Sequence, residues 1–192
     1  MSGPGPTRLP PRFVPEEPLP PYSYVTARFP HPTRDPQGHS FGHVAPTPPP
    51  IRPEHWRDSR TYLFACDLFN YGYYWEAHEV WEALWQACGR TGTTAEMLKG
   101  LIKLAAAGVK AREGRTAGVA RHAKRAVELF RKVRTEIGDE RYLGINLDWL
   151  IGIAHELELR PTTVALSSAP VEVVFDFQLL PGIAPDANDT EE

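Results

Sequence analysis

Between residues 54 and 160 apolar side chains recur every three to four positions, and none of the chain's 20 prolines falls there; the prolines lie in residues 1–53 and after residue 160. A period near 3.6 with no proline to break it predicts amphipathic helices, and the local breakers divide the stretch into four or five of them. The first is expected over about Trp56–Phe69, with Tyr62, Leu63, Cys66 and Phe69 on one face. It stops at Asn70-Tyr71-Gly72, where glycine can take the left-handed cap conformation. The second runs from about Tyr73 to Cys88 and ends in the glycine-rich CGRTGTT, whose Thr93 or Thr94 can cap a third helix over roughly 95–112. On that third helix Gly100, Leu104, Ala107, Gly108 and Ala111 form a stripe of mostly small residues, so a neighbouring backbone can come close. The fourth, about 116–137, sets Val119, Ala123, Ala126, Phe130, Val133 and Ile137 against a largely basic opposite face. The last, LDWLIGIAHELEL, begins after Asn146 as its cap.

Short connections make consecutive helices antiparallel neighbours, so the expected fold is all-α, a small antiparallel helical bundle. Three regions follow: a Pro-rich arm over 1–55, the bundle over 56–160, and an extended acidic tail over 161–192. The arm should be part polyproline II and part turn. Tyr22, Tyr24, Val25, Phe29 and Phe41 carry more apolar surface than a free linker, so residues 20–45 should dock on the bundle while residues 1–12 stay disordered. PVEVVFDFQLLPG near the C-terminus alternates like a strand but has no partner strand, and is expected to lie extended along the bundle.

The chain's 192 residues suffice for one well-cored domain. Its formal net charge of -3 is unevenly spread: residues 161–192 hold acidic and no basic side chains, while Lys110–Arg134 is strongly basic. The 2 cysteines, Cys66 and Cys88, show neither a disulfide framework nor zinc-ribbon spacing, which fits a reducing cytoplasm. No signal peptide or membrane-spanning run is visible.

Candidate chemistry concentrates in the second helix. At about 100° per residue, Tyr74, His78, Trp81, Glu82 and Trp85 share a quarter of its circumference, so His78 and Glu82 are expected to point inward on an aromatic face. Glu76 and Glu79 lie to either side and should be more exposed or hold the helix start. A buried carboxylate needs a partner. One candidate is a divalent metal ion, since a His and a Glu one turn apart can reach the same zinc, iron, manganese or nickel, with Glu79, His122 or the arm residues His31 and His39 completing the shell. The other is a lysine of the third helix, Lys103 above all, which would neutralise Glu82 without metal. His122 lies between Val119 and Ala126, the place of a satisfied core histidine more often than of a ligand.

FNYGYYWEAHEVWEALW followed by LKGLIKLAAAGVKAREGRTAGVARHAKRAVELF resembles the bacterial and archaeal domain-of-unknown-function 309 family, whose hallmark is a His-x-x-x-Glu-x-x-Trp/Tyr motif, here His78, Glu82 and Trp85. The resemblance covers about residues 56–137 and includes Phe69-Asn70-x-Gly72, Glu76-Ala77-His78-Glu79, Gly100-Leu101-Ile102 and Gly114. It implies a small helical bundle and a metal-binding role for the motif, with no activity attached. In that family glutamine commonly follows the Gly-Leu-Ile segment; Lys103 stands there in this chain, and a cation beside the motif counts against a metal.

HEVWE has only the first half of a helical zinc-protease motif, with Glu82 where the second histidine should be. Glu76 and His78 are too close for a di-iron Glu-x-x-His pair. Phosphate-binding glycine loops and the nucleophile elbow are absent. The basic face of the fourth helix could contact phosphates, but no nucleic-acid motif or stacking surface accompanies it, so a solvated face is favoured over nucleic acid. Two functions stay open: a protein with a metal- or small-molecule pocket around His78 and Glu82, reaction unassigned, and a non-enzymatic structural or interaction module in which that pair is a buried hydrogen-bond and salt-bridge network. The second would use the Pro-rich arm to bind a protein partner or a second copy of the chain.

Overall fold

The computed structural model describes residues 9–164 and 167–183. Five α-helices dominate it: α1 (Arg60–Asn70), α2 (Tyr74–Ala87), α3 (Thr93–Arg112), α4 (Thr116–Ile137) and α5 (Leu147–Leu159), preceded by a short 3-10 helix over Pro53–Asp58. Each helix packs on the next, α1 on α2, α2 on α3, α3 on α4 and α4 on α5. Three-residue links between α1 and α2 and between α3 and α4 turn the chain back on itself, so the protein is an all-α bundle. No helix among the described residues is long and apolar enough to cross a membrane. Cys66 and Cys88 are both free thiols.

The expected helix boundaries hold closely for α2, α4 and α5, and Asn146 caps α5 as anticipated, its side chain accepting from the Trp149 amide at 2.8 Å. The first helix differs. Trp56 belongs to the separate 3-10 turn, and α1 restarts at Arg60 with the Ser59 hydroxyl accepting from the Tyr62 amide. The start of α3 differs too: Gly92 is the N-cap, at φ 87°, while the Thr93 and Thr94 hydroxyls turn to Glu136 and the Tyr142 hydroxyl. A hairpin that the apolar pattern did not predict, β1 (Arg141–Tyr142) with β2 (Ile145–Asn146), joins α4 to α5. Its turn residues Leu143 and Gly144 both have positive φ, 48° and 80°, as a two-residue turn between right-twisting strands requires.

The small residues of α3 serve rings rather than a close backbone. A side chain at Gly108 would overlap the Tyr74 ring from α2, and one at Gly100 would overlap the Phe130 ring from α4. These notches seat two fully buried aromatics, one from the helix before α3 in the chain and one from the helix after it.

The extended segments are held by buried polar side chains of the helices. Asp67 on α1, 1% exposed, accepts from the Phe13 and Val14 amides at 2.8 and 2.9 Å. The Ser23–Tyr24 peptide is gripped on both edges: Arg112 donates to the Ser23 carbonyl at 3.2 Å, and Glu76 accepts from the Tyr24 amide at 2.9 Å. Asn70 makes a two-way pair with Leu179, accepting from its N–H at 2.7 Å and donating to its carbonyl at 2.9 Å. Each side chain supplies what a neighbouring strand would have supplied. Around Leu179 the C-terminal segment runs extended, as expected, and Phe175 and Phe177 stack on each other and reach Phe69 of α1, with Trp149 of α5 closing on Phe177. It thus fills the space between the first and last helices.

Tyr22, Ser23 and Val25 are buried, so part of 20–45 docks, whereas residues 41–47 are exposed. Docking begins earlier than the expected limit at residue 12: Pro10 accepts from the Tyr71 hydroxyl at 2.7 Å, and Arg12 lies 3.6 Å from Asp67. The expectation for residues 1–8 falls outside the described residues.

Candidate functional site

The inward face of α2 is formed by Tyr74, Ala77, Trp81 and Leu84, all essentially buried. At about 100° per residue its centre lies about 60° from the centre of the stripe expected from Tyr74, His78, Trp81, Glu82 and Trp85. Tyr74 and Trp81 are interior as expected, but His78 and Glu82 fall on the rim, their side chains 27% and 40% exposed. Glu76, expected to be more exposed or to hold the helix start, lies in the first turn of α2 and is its buried carboxylate, 5% exposed. It accepts from the Tyr24 amide and sits 3.2 Å from Nε2 of His39, whose side chain is 6% exposed. His39 Nδ1 meets the Ser40 hydroxyl at 2.8 Å.

On the rim, Nδ1 of His78 lies 3.3 Å from Glu79 and 3.6 Å from Glu82. One ligand atom from each of the three residues can be chosen so that all lie within 4.8 Å of one another. A metal held at about 2.0–2.2 Å places its ligands up to about 4.4 Å apart, so a small rotation of the half-exposed glutamates closes the set. The donors, one imidazole and two carboxylates, suit zinc, manganese or ferrous iron.

Of the further candidates, His122 of α4 lies partly buried near this face. Burial pulls its pKa down to about 4, assisted by the charges of Lys103, Arg121, Lys110 and His78. It is therefore neutral at pH 7, with an unprotonated nitrogen, though it is not within the 4.8 Å set. Lys103 of α3 is part-exposed and makes no ion pair with Glu82 among the described residues, so the expected buried Glu82–Lys103 bond is absent. Both groups reach water, and neither needs the other. Trp85 is half-buried beneath Arg90 and Lys99, each 5.7 Å from its ring. The arm histidines stay out of the cluster: His31 packs against Tyr24 and Trp75, and His39 is taken up by Glu76.

An all-α bundle with a His/carboxylate cluster on the rim of its second helix is the class these features define. The family model of a domain of unknown function (DUF309) matches residues 62–122, a stretch that runs from within α1 into α4. No curated protein and no solved structure matches the chain.

The sequence pattern does not point to Asp67 and Arg112, and it points to Asn70 only as part of a helix stop, yet these three carry the docking of the extended segments. A signal existed: Asp67 adjoins Cys66 and Leu68, Asn70 adjoins Phe69, and Arg112 follows Ala111, each a polar residue placed at the edge of an apolar stripe.

Proposed function

We propose that His78, Glu79 and Glu82 bind a divalent metal ion on the rim of the bundle, with the reaction, if any, unassigned. The observation that carries this is the grouping of an imidazole nitrogen and two carboxylate oxygens within 4.8 Å on one helix face. Their partial exposure helps, because water can fill the remaining positions and a ligand can enter. His122 is the protein group best suited to add a fourth bond, since it is neutral at pH 7. Lys103, free of an ion pair with Glu82, can swing toward solvent without leaving a buried carboxylate behind. A bound ion there would supply Lewis acidity to a ligand, while Lys103 and Lys99 would attract an anionic one.

Isothermal titration of tag-free, metal-stripped protein with zinc, manganese, nickel and ferrous iron tests this. One-to-one binding of at least one ion, lost in His78→Ala and weakened in Glu82→Gln, is expected. A flat titration with all four ions overturns it.

A second reading is supported by the close approach of His78 to Glu79 and Glu82 without any ion. In it the three side chains form only a surface polar network on a non-enzymatic module. That network is part-exposed, so His78→Ala would then shift stability by no more than about 1 kcal/mol.

A further inference from the structure

We propose that a cleft between the 3-10 helix and the β-hairpin, on a different part of the surface from the α2 cluster, binds a small molecule carrying a phosphate or carboxylate group, gripped by Arg57 and Arg141. The cleft has a volume of about 290 Å³, and its walls include Pro53, Trp56, Arg57, Arg141, Tyr142 and Gly182. Small-molecule sites begin at about 300 Å³, so the space suits a compact ligand rather than a large cofactor. Among the described residues no carboxylate lines it.

Several arginines of this protein are neutralised by carboxylates. Arg60, Arg115, Arg125, Arg134 and Arg160 all pair with carboxylates. Arg57 and Arg141 make no salt bridge among the described residues. Two guanidiniums without a salt bridge among the described residues bring positive charge to one cleft, and their planar N–H forks fit an oxyanion in two-point fashion.

The walls are also fixed before any ligand arrives. Arg57 lies on the Trp56 indole, 4.3 Å from guanidinium carbon to ring centroid, which restrains an otherwise flexible side chain. The indole meets Tyr62 edge-on and is buried. Gly144, in the hairpin turn at φ 80°, has no room for a side chain, because a Cβ would overlap the Trp56 ring. Gly182, at φ 81°, closes the opposite side and donates to the Gly144 carbonyl at 2.8 Å. A restrained cationic fork beside the Tyr142 ring holds an anion at lower entropic cost than a free surface arginine would. The flat wall favours a ligand with a planar body behind its anionic group.

Titration calorimetry of the full chain with phenyl phosphate, inorganic phosphate, benzoate and phenol tests the proposal. Phenyl phosphate is expected to bind one-to-one, more tightly than inorganic phosphate, with phenol silent and benzoate weaker through its single charge. Arg57→Gln and Arg141→Gln should each weaken binding about tenfold and the double variant should abolish it. Lys124→Gln/Arg131→Gln on the basic face of α4 should leave it unchanged. Both cleft arginines are exposed, so the variants should fold, which their thermal unfolding checks. No heat with phenyl phosphate up to about 10 mM, or equal binding by the double variant, overturns the proposal. So does binding that appears only after Asp186, Asp189, Glu191 and Glu192 are neutralised, which would make the acidic segment following Gly182 the occupant.

Discussion

Replacing Asp67 by alanine isolates the clamp on the start of the N-terminal segment. The carboxylate accepts two backbone amides at 2.8 and 2.9 Å, with Arg12 at 3.6 Å, and is 1% exposed. Alanine strands those donors. If the segment stays in place, two amides without acceptors cost about 1–3 kcal/mol each, or about 2–6 kcal/mol together. The segment has another course, which is to peel away and let water solvate the amides. That course forfeits the burial of Val14, worth about 1.5–3 kcal/mol, and the bond from the Tyr71 hydroxyl to Pro10, worth about 1 kcal/mol. The cheaper route sets the measured cost, so Asp67→Ala should lose about 2–4 kcal/mol in urea unfolding. Hydrogen exchange then distinguishes the routes. Peeling predicts that the Phe13 and Val14 amides lose protection while amides in the middle of α3 and α4 keep theirs. A loss below about 0.5 kcal/mol with those two amides still protected would refute the clamp.

Two further predictions concern the interior and pH. Gly108→Ala drives a methyl into the Tyr74 ring, and although alanine favours a helix by about 1 kcal/mol, overpacking of about 1–3 kcal/mol should leave the variant less stable in urea; a more stable variant would show that the ring has room to move. His122, held at about 4 against an ordinary 6.5, binds a proton more readily when unfolded, so its neutral form contributes stability at neutral pH that is lost as pH falls from about 6.5 toward 4. At about 1.4 kcal/mol per unit, and roughly halved for partial exposure, the loss is about 1–2 kcal/mol. His122→Gln should remove that part of the pH dependence, and an unchanged stability profile would count against the depressed pKa.

How much of the fold could be read from the pattern depends on where each residue's neighbours lie. The bounds of α4 emerge because one wide charged face opposes one apolar face, so its period is sharp. The 3-10 turn is hidden because Trp56, seven residues before Leu63, is in helical phase with it, while what fixes its position is contact with Gly144 and Gly182, far along the chain. The hairpin is hidden for a different reason. A two-residue turn of this kind usually carries Asn-Gly, whereas here a leucine occupies the first left-handed position. Leu143 is held there by its own burial, 2% exposed, and by the Tyr62 hydroxyl donating to its carbonyl at 2.9 Å. Tertiary contacts outweigh the local cost of the positive φ.

The site illustrates the same limit on a smaller scale. Residue types on α2 draw attention to His78 and Glu82, with Glu79 a weaker candidate beside them, but the helix's rotation is set by the Gly108 notch that receives Tyr74, not by the arrangement of its own side chains. The resulting turn of about 60° brings Ala77 and Leu84 inward and leaves His78 and Glu82 accessible to water. Electrostatics favours that outcome, because neither rim carboxylate then needs a buried counter-charge. Glu76, on the opposite flank, does face the interior, and it can do so because Tyr24 supplies an N–H and His39 a ring nitrogen at 3.2 Å. Those groups come from 52 and 37 residues earlier in the chain, which no projection of α2 contains. A buried carboxylate is therefore selected by the donors that reach it, and Glu76 is the glutamate of this helix to which the N-terminal segment brings them.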